Sequence, residues 1–112
     1  MRPKNSSEGA ASGRSWLMDL GMVAKTRPGL ILSIPPGDLE RALLTLVPHT
    51  TSLRGGAFEV PTTASFLRPG AFNVQGLMTV PTSLALRFLG RLPEAQLRPV
   101  EAAVLQWLGL GS

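Results

Sequence analysis

Asp38 to Pro48 reads "DLERALLTLVP", and the fold turns on how this stretch is read. Leu39, Ala42, Leu43 and Leu46 recur at helical spacing behind Asp38, whose side chain suits a helix cap. With a period of two, Leu39, Arg41, Leu43, Thr45 and Val47 share one face of a strand and Ala42, Leu44 and Leu46 the other. Pro48 stops either element, because its ring fixes φ and it has no N–H to donate. Periodicity leaves both readings open.

Upstream, Pro35-Pro36-Gly37 closes "GLILSI", a short apolar run that fits a strand buried on both faces. Before it, "SWLMDL" from Ser15 to Leu20 alternates in strand fashion and ends at Gly21, so the two strands are expected to pair. Residues 1–14 carry Ser, Gly, Ala and scattered charges with no apolar period, and are expected to form a disordered tail ahead of a single domain at 15–112. Downstream, Gly55-Gly56 signals a turn before "AFEVP", and "LMTVP" reads as a further short strand. Short strands between Gly and Pro turns suggest a small barrel. From Pro93 onward the period changes, with Leu97, Val100, Val104 and Leu108 on one helical face. Pro99 is expected to kink or restart that helix, and Trp107 is most simply core packing.

The chain has 112 residues, 44% of them hydrophobic, which suffices for one core and not for two. Its charge of +4 comes from 11 basic residues, mostly Arg, against seven acids. Arg suits bidentate phosphate contacts, so a polyanionic partner is one reading, and simple solubility is the other. Cysteine is absent, which excludes disulfide frameworks, thiolate nucleophiles and cysteine-ligated zinc. No apolar run approaches the length of a membrane span and no secretory signal opens the chain, so a soluble, cytoplasmic protein is expected.

The one histidine, His49, stands in "VPHTTS" with Thr50, Thr51 and Ser52, and Arg54 follows. A lone loop histidine is usually exposed, and one His with scattered carboxylates makes no recognisable metal site, so no cofactor is expected. The dinucleotide, P-loop and nucleophile-elbow glycine patterns are absent. What remains is Arg27 at the mouth of an aliphatic strand in "KTRPGLILS", with Lys25 beside it, and the "HTTS" group at another strand end.

In order and spacing, "WLMDL", "RPGLILS", "LVPHTTS", "FEV", "VQGLMTV" and "LGRLPEAQL" resemble the MazF/PemK family of toxin endoribonucleases from Trp16 to Leu110. The resemblance implies a mainly β fold, an SH3-like small barrel with a C-terminal helix, and so assigns "LERALLTLVP" to a strand. It implies cleavage of single-stranded RNA without metal, giving a cyclic phosphate, a homodimer, and silencing by a cognate antitoxin. Catalytic roles then fall to Arg27 and Thr50, and RNA contacts to Lys25, Thr51, Ser52 and Arg54. Two departures stand out: "GMVAKT" is shorter than the family's usual first loop, and Val74-Gln75 replaces a frequent Asp-Gln.

The residues fit that chemistry. Arg27 is permanently charged and suits stabilisation of phosphoryl oxygens, Thr50 adds a hydroxyl, and His49 is the side chain able to move protons near neutrality. Two other readings share the barrel: a gyrase poison acting through a C-terminal Trp, and an inactive barrel kept for binding.

Overall fold

A computed structural model describes residues 13–21 and 26–111. They form seven strands, β1 (Arg14–Asp19), β2 (Thr26–Ile31), β3 (Leu43–Thr50), β4 (Glu59–Thr62), β5 (Gly70–Asn73), β6 (Met78–Pro81) and β7 (Ala85–Arg91), and a helix α1 (Glu94–Trp107). Every pairing is antiparallel, in the order β4-β5-β3-β2-β1-β7 with β6 also on β3. Among the described residues no ladder joins β4 to β7, so the curved sheet is barrel-like without closing.

Register explains why β2 and β3 are apolar without alternating. Leu30 pairs with Val47 and Ile31 with Leu46. Leu30 and Val47 belong to a core that also holds Phe72, Val74, Leu92, Val100 and Ala103, so it lies between the sheet and α1. Ile31 and Leu46 belong to a second core with Met18 and Leu44. Successive side chains on one strand therefore enter opposite cores, and both faces must be apolar.

The helical pattern of residues 38–46 is not realised. Asp38 and Leu39 lie in a turn, in which Gly37 N–H donates to Glu40 Oε1 at 2.8 Å, and Leu39 is 96% exposed. The strand begins only at Leu43, so the stretch is partly turn and partly strand. Leu44 and Leu46 are buried there, and the lattice of strand partners overrides helical propensity. Nor does Pro48 stop the strand. Residues 43–46 pair with β6 and residues 49–50 with β5, and the 3-10 turn Val74–Gly76 fills the break between those partners. Pro48 stands at that break, where a missing N–H costs no ladder bond. A Cβ on Gly76 would come within 2.8 Å of the Pro48 ring, so the two are closely packed.

Four further expectations shift. β2 starts at Thr26 rather than Gly29, which brings Arg27 and Pro28 into the strand, and it ends at Ile31. β1 includes Arg14, while Gly13 donates to the Ile31 carbonyl and accepts from Leu92 N–H, so two residues assigned to the tail take part in the fold. The rest of the expected tail, residues 1–12, lies outside the described residues. α1 runs through Pro99 without restarting. The lost bond costs about 3 kcal/mol, and the burial of Val100 and Ala103 on the sheet holds the helix together across it. Trp107 is not in the core; 42% exposed, its ring tilts against Phe58 at 5.3 Å between centroids.

Candidate active site

Arg27 and Pro28 on β2, Leu17 on β1, Arg87 and Leu89 on β7 and the end of β3 surround one open cavity of about 510 Å³. The far wall is the β4–β5 connection, with Phe66, Leu67 and Arg68. His49, Thr50, Thr51 and Ser52 line it from β3 and the residues after it. Sequence separation between these groups is large, and the antiparallel ladder β3-β2-β1-β7 is what brings them to one place.

Five of the expected site residues therefore meet: Arg27, His49, Thr50, Thr51 and Ser52. Arg54 does not join them. It lines a neighbouring hollow of about 350 Å³ with Phe58, Glu59, Asn73 and Gln75, on the other side of Thr50 and Ser52, which border both. Lys25 lies outside the described residues. The departure at Val74-Gln75 has a structural counterpart: Val74 is fully buried in the core, so no polar side chain is presented there, whereas Gln75 is exposed.

The electrostatics are one-sided. No Asp or Glu lines the larger cavity among the described residues, while three Arg do. Side chains of Arg27, Arg68 and Arg87 make no hydrogen bond or ion pair among the described residues, where the ion pair that does occur, Arg98 to Glu94 at 2.5 Å, is on α1. Unpaired Arg around a concave surface suits an anion, because each guanidinium offers donors matched to phosphate oxygens. Arg68 and Arg87 were missed by sequence reasoning. Arg68-Pro69 repeats the Arg-Pro pair of Arg27-Pro28, but so do Arg2-Pro3 and Arg98-Pro99 on α1, so the pair does not single it out; Arg87 in "LALRFLGRL" carries no signal either, since its place depends wholly on how β7 pairs with β1.

His49 is neither on a loop nor exposed. It is the penultimate residue of β3, 3% exposed, with its ring edge-on to Phe72 at 5.4 Å. Burial, and then the charge of Arg27, hold its pKa below the ordinary 6.5. The ring is therefore neutral at neutral pH, and its buried Nε2 has no hydrogen-bond partner among the described residues. The Thr50 hydroxyl accepts from Ser52 N–H at 3.0 Å and lies 3.4 Å from the Ser52 carbonyl, a local turn that orients the side chain. Glu59 fixes the next stretch: Arg54 N–H donates to its two carboxylate oxygens at 2.9 and 3.1 Å, and Gly55 N–H at 2.7 Å.

Among the described residues, no three of His, Cys, Asp and Glu converge as metal ligands, and no helix is long and apolar enough to cross a membrane.

Comparison with known proteins agrees with this architecture. An endoribonuclease in complex with its cognate antitoxin, from a mycobacterial species, matches with 25% identity over 91% of this chain and 97% of its own, at a TM-score of 0.78. A MazF toxin of Mycobacterium tuberculosis is 27% identical over 88% and 99% of the two chains, at 0.75. MazF in a MazE-MazF complex from Deinococcus radiodurans shares the fold at 22% identity, 90% and 97% coverage and 0.75. No curated protein matches the chain by sequence. The profile of the PemK-like, MazF-like toxins of type II toxin-antitoxin systems matches residues 12–108, and the chain belongs to that family.

Proposed function

We propose that this chain is an endoribonuclease that cuts single-stranded RNA without a metal. The observation that carries the reading is the meeting of Arg27 and Thr50 in a cavity with no carboxylate among the described residues. In the reaction the ribose 2′-hydroxyl gives its proton to a base as its oxygen attacks the adjacent phosphorus, the P–O5′ bond breaks, and the 5′-oxygen takes a proton from water in the open cavity, giving a 2′,3′-cyclic phosphate and a 5′-hydroxyl. Negative charge grows on the phosphoryl oxygens along this path. Arg27, with no partner to compete among the described residues, is the group suited to hold that charge. The Thr50 hydroxyl can turn its hydrogen from the long 3.4 Å contact with Ser52 to a phosphoryl oxygen while still accepting from Ser52 N–H. Thr51 and Ser52, both exposed, supply further contacts to the strand, and Arg54 meets RNA that continues across Thr50 into the neighbouring hollow.

His49 enters this reading as a proton acceptor, because a ring held neutral by burial and Arg27 can take a proton and has none to give. Its pH–rate profile decides the point. Loss of the acidic limb, expected below 6.5, in His49→Ala assigns it proton transfer, and an unchanged profile leaves it as the cavity wall.

The direct test is a long single-stranded RNA incubated in excess chelator. Cutting with a cyclic phosphate end is expected, Arg27→Ala should lower the rate by about 100-fold or more while weakening binding far less, and Thr50→Ala should act the same way more mildly. Full activity in Arg27→Ala rejects the mechanism. A protein that binds without cutting would fit the non-catalytic alternatives; Trp107, already packed on Phe58, gives the gyrase-poison form little support.

The protein is proposed to act in the cytoplasm as a homodimer covered by an acidic, partly disordered antitoxin. Exposed Leu86 and Phe88 on β7 and Leu105, Leu108 and Leu110 at the C-terminal end leave apolar surface to bury. A monomer by light scattering at micromolar concentration would reject the dimer, and co-expression without relief of toxicity would reject the antitoxin.

A further inference from the structure

Arg87 is exposed, makes no ion pair or hydrogen bond among the described residues, and lines the cavity that holds Arg27. The register sets how far apart the two backbones lie. Arg87 pairs with Leu17 on β1, Leu17 pairs with Pro28 on β2, and Arg27 pairs with the next residue, Met18. Two strand spacings separate the backbones, about 10 Å. Backbones that far apart, each bearing a long side chain, can present the two guanidiniums to consecutive phosphates of one strand and leave each free to bind in bidentate fashion. Arg68 on the far wall adds a third unpaired charge to the same cavity.

We infer that Arg87 binds a second RNA phosphate, next to the scissile one, so that a good substrate must carry two adjacent charged phosphodiesters. The inference rests on the nuclease reading above and adds a substrate requirement to it. Arg87 is a binding residue here, acting on the neighbouring phosphate and not on the bond that breaks.

The test uses oligonucleotides with a single ribose, placed at the step the protein cuts in long RNA and deoxyribose elsewhere, so that one bond alone can react. In one version every linkage is a phosphodiester. In the others the linkage on the 5′ or the 3′ side of the scissile one is an uncharged methylphosphonate. Wild type should lose at least about tenfold in kcat/KM when the linkage on one of those sides is neutralised, since a charge-assisted contact of this kind carries about that factor. Arg87→Ala should cut the charged and neutral versions at rates within about twofold, and its salt dependence should be shallower by about one phosphate contact. Arg98→Ala removes the same charge from α1 and should keep the wild-type discrimination. Indifference of wild type to both methylphosphonates overturns the inference, as does discrimination that survives in Arg87→Ala or vanishes equally in Arg98→Ala. Wild-type cutting by Arg27→Ala would instead strike at the underlying mechanism, and a wild type that cuts none of these substrates or long RNA overturns both.

Discussion

Gly70 presses its backbone against the imidazole of His49: a Cβ at position 70 would lie 2.9 Å from His49 Cε1 and 3.1 Å from Nε2, and would also run into the Thr50 carbonyl. The absence of a side chain on β5 is thus what lets His49 lie buried inside the sheet and what sets β5 against the end of β3 that carries Thr50.

Gly70→Ala is accordingly expected to destabilise the fold by roughly 1–3 kcal/mol, because the obstacle includes backbone and cannot rotate away. Thermal denaturation should show a midpoint lower by several degrees. Gly56→Ala is the control, with nothing within 4 Å of its added carbon, and should leave the midpoint unchanged or slightly raised.

His49 links stability to pH. Its folded pKa is lowered, first by burial and then by Arg27, from 6.5. The unfolded chain therefore takes up a proton here more readily than the folded chain as pH falls. The contribution of the neutral ring is present in full above 6.5 and is lost as the pH drops from there through the lower folded value. Denaturant midpoints on either side of 6.5 should record this loss in wild type and a flatter profile in His49→Gln; parallel profiles would show that the ring is protonated equally in both states.

Glu59 holds the backbone of Arg54 and Gly55 and so shapes the hollow beyond Thr50. Glu59→Ala leaves those N–H groups to water, at a cost of about 1 kcal/mol since they are exposed. Amide exchange at residues 54 and 55 should quicken. In RNA cleavage the effect should fall on KM rather than kcat, because the loop contacts RNA away from the reacting phosphate; an equal fall in kcat would place the loop in the transition state.

The sequence by itself determined the strands β1 and β2 and their pairing, the Gly and Pro turns and the C-terminal helix, and through family resemblance it raised the expectation that Arg27 and Thr50 share a site. Alternation, helical period and turn residues are properties of a few neighbours in the chain, so they can be read without knowing what lies across from them. Residues 38–50 were decided by tertiary structure, because Ala42 and Leu46 fall on the apolar face of a helix and of a strand alike, until Met18 and Ile31 bury Leu44 and Leu46 in a strand core. Pro48 became tolerable only once β3 changed partners beside it, and His49 became buried and neutral only once Gly70 and Phe72 closed over it. Arg68 and Arg87 reach Arg27 through pairings between distant segments, and such convergence leaves no trace in local spacing, since side chains that meet across a sheet are set by register and not by their neighbours in the chain.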